Sequence, residues 1–156
     1  MRKYKLIIDH DSCWGCKTCE VACKQENPTQ DSVKLIAVSE DFTKRINGKP
    51  DFVFHVNVCQ HCDGPPCVEI CPEDAIEKRT DGIVIMDYEK CSGCGACIEV
   101  CSYNVIDFDD ENNIAQKCNL CHHRIDLGLV PACSDNICLA HCFQFGCADQ
   151  NRIVCK

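Results

Sequence analysis

Sixteen of the 19 cysteines in this 156-residue chain fall into four groups with the spacing of ligand sets. The first is Cys13-x2-Cys16-x2-Cys19-x3-Cys23 and the second Cys59-x2-Cys62-x4-Cys67-x3-Cys71, followed by Pro72. The third is Cys91-x2-Cys94-x2-Cys97-x3-Cys101 and the fourth, looser, is Cys118-x2-Cys121-x11-Cys133-x4-Cys138. Cys142, Cys147 and Cys155 stand outside them. At about 12% of residues, cysteine exceeds the level that marks a chain held together by something other than its core. Disulfides, zinc sites and iron–sulfur clusters are the three chemistries that use so many.

The spacing separates them. Three cysteines at x2 intervals can wrap a loop round three corners of one cubane, and the fourth, four residues on, sits one helical turn away. It therefore reaches toward a second cluster, the arrangement of bacterial two-cluster proteins. Zinc more often takes two CxxC pairs a dozen or more residues apart, so groups one and three are poor zinc sites. Group four also suits zinc, and His122, His123 and His141 lie near enough in sequence to join it. The two adjacent histidines are read instead as exposed or hydrogen-bonding residues beside a cluster. Gly15, Gly93 and Gly95 allow a loop to approach an inorganic core without a Cβ. Val21, Ala22, Val68, Ile70, Ile98 and Val100 are candidates for a dry shell, and Trp14 and Tyr103 for packing against a cluster. No nucleophile–base pair or carboxylate dyad stands out, so no catalytic residue is assigned.

Short elements must position these groups. Residues 52–58 alternate, with Phe52, Phe54, Val56 and Val58 on one face and His55 and Asn57 on the other. Residues 76–85 form a hairpin turning at Asp81-Gly82, and residues 105–108 and 114–116 flank a second turn. Residues 17–25 and 94–100 are helix candidates. The long cysteine-free stretch, 24–58, holds a strand over 33–38 and a turn at Asn47-Gly48. The fold class expected is α+β, with small hairpins and short helices wrapped round metal in one compact unit.

The net charge is −8. Each cubane adds about two negative charges, so four clusters take the protein to roughly −16. That excludes the basic footprint of a nucleic-acid binder and favours a protein partner with basic docking patches. The apolar run Leu6-Ile7-Ile8 is too short for a secretion signal, and no stretch reaches membrane-span length. A cytoplasmic location is expected, where disulfides are rare.

The segments CWGCKTCEVACKQEN, CQHCDGPPCVEICPEDAI, CSGCGACIEVCSYNVI and CNLCHHRIDLGLVPAC resemble the four-cluster ferredoxin-type electron-transfer subunits that accompany molybdenum and tungsten oxidoreductases. The resemblance runs from about Asp9 to Gly146. It implies tandem ferredoxin-like modules, an inner one over about 52–108 and an outer one over about 1–30 plus 114–147. It also implies nested ligand sets: Cys13, Cys16 and Cys19 with Cys138; Cys118, Cys121 and Cys133 with Cys23; Cys59, Cys62 and Cys67 with Cys101; Cys91, Cys94 and Cys97 with Cys71. The family's last gap is x3 followed by proline, whereas here it is x4 followed by Leu139, which makes Cys142 a rival for the last place. Cys147 and Cys155 are then spare thiols or, with His141, ligands of a small extra site. The implied cofactors are [4Fe-4S] clusters at groups one to three and a fourth, or zinc, at group four. The implied partner is a larger pterin-bearing catalytic subunit, with a further electron-donating subunit. The short chain points by analogy to a complex of the tungsten aldehyde-oxidoreductase or class II benzoyl-coenzyme A reductase type. A freely diffusing polyferredoxin and a zinc-held binding module are the alternatives.

Overall fold

The computed structural model describes residues 3–41, 45–46, 49–50, 52–149 and 152–154. Within them the protein forms strand pairs and short helices and has a mixed α+β fold. The turn expected at Asn47-Gly48, and Cys155, lie outside the described residues.

Strand β1 (Lys3–Ile8) is followed by a loop carrying group one and by helix α1 (Thr18–Glu26). Strands β2 (Ile36–Asp41) and β5 (Val53–Val58) pair antiparallel, with Ile36 opposite Val58, and between them runs the small pair β3 (Arg45–Ile46) and β4 (Lys49–Pro50). The alternation read over 52–58 is correct at its inner end. Val56 and Val58 are buried while His55 and Asn57 are exposed, but Phe52 emerges into solvent. Group two leads into α2 (Pro66–Glu69) and the hairpin β6 (Ile76–Lys78) and β7 (Val84–Met86), turned at Gly82, whose φ is +88°. Group three leads into α3 (Ala96–Glu99) and the hairpin β8 (Ile106–Asp109) and β9 (Ile114–Lys117). Group four leads into α4 (His122–Asp126). Strand β10 (Phe143–Asp149) then returns to pair antiparallel with β1, Lys3 opposite Ala148 and Ile8 opposite Phe143, and β11 (Arg152–Val154) adds to it. Cys147 lies in β10, opposite Tyr4.

Three apolar cores result. The first gathers Val33, Leu35, Ile36, Val38, Val56 and Val58 around Cys19, Cys23, Cys118 and Cys133. The second gathers Ile76, Val84, Ile106 and Ala115 around Cys97. The third is a wedge of Ile83, Leu120 and Ile125, with Tyr4 and Phe145 stacked beside it at 5.6 Å. This wedge joins the β6–β7 hairpin to group four. Arg79 crosses the same seam, donating to both carboxylate oxygens of Asp126 at 2.9 and 2.6 Å. Arg124 braces the far side, donating to Glu26 at 2.8 Å and to Asp135 at 2.6 Å.

Ile83 is fully buried in the wedge, whereas Leu139 is 69% exposed. Ile83→Ala is therefore expected to destabilise the folded protein by about 2–5 kcal/mol. Leu139→Ala should change stability by less than about 0.5 kcal/mol. Chemical denaturation of the two variants under anaerobic conditions checks the contrast.

Candidate metal centres

The third position of the CxxC that opens each group is left-handed: Gly15 at φ +67°, His61 at +47°, Gly93 at +74° and Leu120 at +54°. For a non-glycine residue this costs roughly 1–2 kcal/mol, so the repetition at a histidine and a leucine marks a shape the site requires. Such turns make the backbone concavities that hold phosphates and iron–sulfur clusters. Group four thus shares its loop conformation with the other three, which its sequence does not announce.

Helix α1 shows how the sulfurs are distributed. Cys19 and Cys23 are both buried on one face, a turn apart. Burial pushes the Cys19 thiol up to about 12, with Cys13 and Cys16 adding to it as near neighbours. Burial does the same for Cys23, also to about 12, but there the foremost neighbouring thiol is Cys121, ahead of Cys19. A small cavity is lined by Cys23, Cys118, Cys121 and Cys133. Asn27, which caps α1, donates toward Cys23 Sγ at 3.7 Å and Cys121 Sγ at 3.8 Å. Its own Oδ1 accepts from Asn119, whose Oδ1 in turn accepts from the Cys121 N–H at 2.8 Å.

The inner groups behave alike. A second cavity is lined by Cys71, Cys91, Cys94 and Cys97. Burial raises Cys97 to about 11, and Cys91, Cys67 and Cys71 contribute. Cys67 is raised by burial and, less strongly, by Cys59 and Cys101. The structure therefore brings Cys23 to group four, Cys71 to group three and Cys101 to group two. At the far end of the sequence, Cys142 is buried beside Cys13 and lies with its sulfur 3.3 Å from that of Cys138. Burial and these two thiols push Cys142 up.

The sets suit cubanes. Thiols with such raised affinity for their protons stay neutral unless metal draws the protons off. His61 accepts the Val84 N–H at Nδ1 (3.0 Å), which leaves Nε2–H buried and, among the described residues, without a partner. Burial drives that ring down to about 3, so it is neutral, and its spare donor suits a sulfide or thiolate acceptor. Among the described residues no three histidine, cysteine or carboxylate groups converge as one bare ion requires. His141 is exposed, and His123 is exposed and bonded to Glu26 at 2.7 Å.

Other residues fall differently. Val68 and Ile98 pack on the second core, but Val21 and Ile70 face solvent at 56% and 45% exposure, so they are not part of a dry shell. Trp14 and Tyr103 are likewise exposed, at 65% and 54%, rather than packed inward. Two residues carry no mark in the ligand pattern, His61 and the fully buried Lys117. The only sequence signal for either is adjacency to a ligand cysteine.

Gly93 and Gly95 separate conformation from clearance. Both have φ +74°, but a Cβ at Gly93 would overlap the Asn113 carbonyl, while one at Gly95 meets nothing within 4 Å. Gly95→Ala should cost about 1–2 kcal/mol of stability and retain its iron. Gly93→Ala should lose iron from the group-three site. Iron content per chain, measured on both variants, checks this; equal retention would contradict it.

Comparison with known proteins agrees with this geometry. Two family models, both described as 4Fe-4S dicluster domain, match residues 50–148 and 12–76. The sequence is 38% identical over 136 residues to the B component of tetrathionate reductase from Salmonella typhimurium, covering 86% of this protein and 54% of that one. It is 35% identical to the B component of polysulfide reductase from Wolinella succinogenes (93% and 76% covered). It is 32% identical to the B component of anaerobic dimethyl sulfoxide reductase from Haemophilus influenzae (97% and 78%). It thus spans about half the length of the first and about three quarters of the others. With four left-handed ligand loops and matches that together run from residue 12 to residue 148, the protein belongs to the 4Fe-4S dicluster family and carries [4Fe-4S] clusters.

Proposed function

We propose that this protein is the electron-transferring subunit of a molybdenum- or tungsten-pterin oxidoreductase. The observation that carries the reading is an unbroken succession of thiol sets. Cys19 neighbours both Cys13 and Cys133. Cys118 in turn shares the first core with Cys23 and Cys59, and Cys97 the second with Cys67 and Cys71. The succession runs group one, group four, group two, group three, and it has an exposed cysteine at each end, Cys16 and Cys94. Each cluster, when bound, takes up or releases one electron. The protein's part is to hold the sets in line, keep water out and supply donors to sulfur.

The nested ligand sets are our assignment: Cys23 completes group four, Cys71 group three and Cys101 group two. For the first set, the deeper burial of Cys142, with Cys13 as a near neighbour, favours Cys142 over Cys138. The two large cores support two ferredoxin-like modules, with an outer module wider than the sequence boundaries, because β2 and β5 pack round Cys19 and Cys23. The relatives' names, each a lettered component of a named reductase, support a larger catalytic partner. No helix among the described residues is long and apolar enough to cross a membrane. Thiols destined for metal suit a reducing compartment, and we place the protein in the cytoplasm on that ground.

Anaerobic purification from the native host tests the reading. The protein should co-purify at fixed ratio with a pterin-bearing polypeptide, with about 16 iron atoms and as many sulfides per copy. A protein that purifies alone with full clusters is a free ferredoxin, and zinc without sulfide would end the cluster assignment at group four. Crossing has its own test. Cys101→Ala should remove the signal of the cluster held by Cys59, Cys62 and Cys67; loss of the group-three signal alone would refute it.

A further inference from the structure

Lys117, at the end of β9, is 1% exposed. Its Nζ donates to the Val84 carbonyl, to the Cys118 carbonyl at 2.9 Å and toward Cys59 Sγ at 3.9 Å. Three acceptors use all three protons of an ammonium group, whereas a neutral amine has only two to give. Yet among the described residues no carboxylate lies within ion-pair distance of it. Lys78, another lysine at the group-two loop, differs: it is paired with Asp63 at 3.5 Å. A buried cation without a counter-ion is strongly unfavourable. The anions at hand are sulfur ligands, Cys59 in contact and Cys118 next in sequence. Against the push of burial, the Lys117 charge draws Cys67 down as well.

Building on the cluster reading, we propose that Lys117 is a fixed internal counter-charge between the clusters of groups two and four, holding their reduction potentials up. It is a positioning and tuning residue for electron transfer. A cation held against a cluster ligand favours the more negative, reduced state, and burial keeps salt from screening it. The effect should be largest at the group-two cluster, whose ligand it touches. It should be smaller at group four and absent at groups one and three.

The test is a potentiometric titration, followed by electron paramagnetic resonance, of the native complex and of the complex carrying Lys117→Met. Iron and sulfide are counted on both. The variant should keep its clusters, with the reduction equilibrium of the group-two cluster shifted at least tenfold toward the oxidised form. That is a fall of about 59 mV for one electron. Four unchanged potentials in a fully loaded variant would overturn the inference while leaving the cluster reading intact. Native protein without iron and sulfide would overturn both. Should Lys117→Met assemble incompletely, native protein labelled with 15N-lysine decides. A nitrogen coupling on a reduced cluster supports the contact, and its absence from every cluster signal overturns it.

Discussion

One turn of helix α1 decides much of this architecture. Cys19 and Cys23 are four residues apart, so they share a face but differ in height by about 6 Å. Cys19 has Cys13 and Cys16 for neighbours, and Cys23 has Cys121. On our assignment, a ligand loop built this way does not close on itself. It needs a second loop, and the nearest reciprocal one lies almost 100 residues further on. The same logic sends Cys71 to group three. The polypeptide must therefore fold back on itself twice, and β1 must meet β10 for the outer loops to face one another.

Electrostatics adds a second constraint. The protein is acidic, and the described cysteines stand free and partly or wholly buried, with few exceptions such as Cys16 and Cys94. Burial alone resists ionising them, so metal binding must draw off their protons. Donors are correspondingly spent on sulfur: Asn27 on Cys23 and Cys121, the Leu120 N–H on Cys118 at 3.3 Å, the Ala75 N–H on Cys71 at 3.4 Å. The apolar cores are small and each is built round cysteine or wedged between cysteine loops.

The ligand groups are legible in the sequence because their spacing is rigid chemistry. So are the hairpins, because Asp81-Gly82 and the run from Asp109 to Asn113 demand tight turns. What is not legible depends on distance along the sequence or on context. The β1–β10 pairing joins residues about 140 apart, and nothing in Leu6-Ile7-Ile8 names its partner. The left-handed Leu120 carries no glycine signal. Lys117 reads as a surface residue until β7 is seen closing over it. Val21 reads as a shell residue and Trp14 as packed against a cluster because apolar side chains near cysteine suggest burial, but Trp14 in its loop and Val21 on α1 both face solvent. For the last ligand of the first set, our choice of Cys142 rests on its burial beside Cys13, which spacing does not reveal.

Diffraction at the iron edge, on crystals of the complex grown without oxygen, tests the central claim most directly. It should show four compact iron sites in a row, ordered group one, four, two, three, with Cys23 on the group-four site and Cys71 on the group-three site. A single mononuclear metal at group four, or four sites each closed by the last cysteine of its own group, would contradict the account.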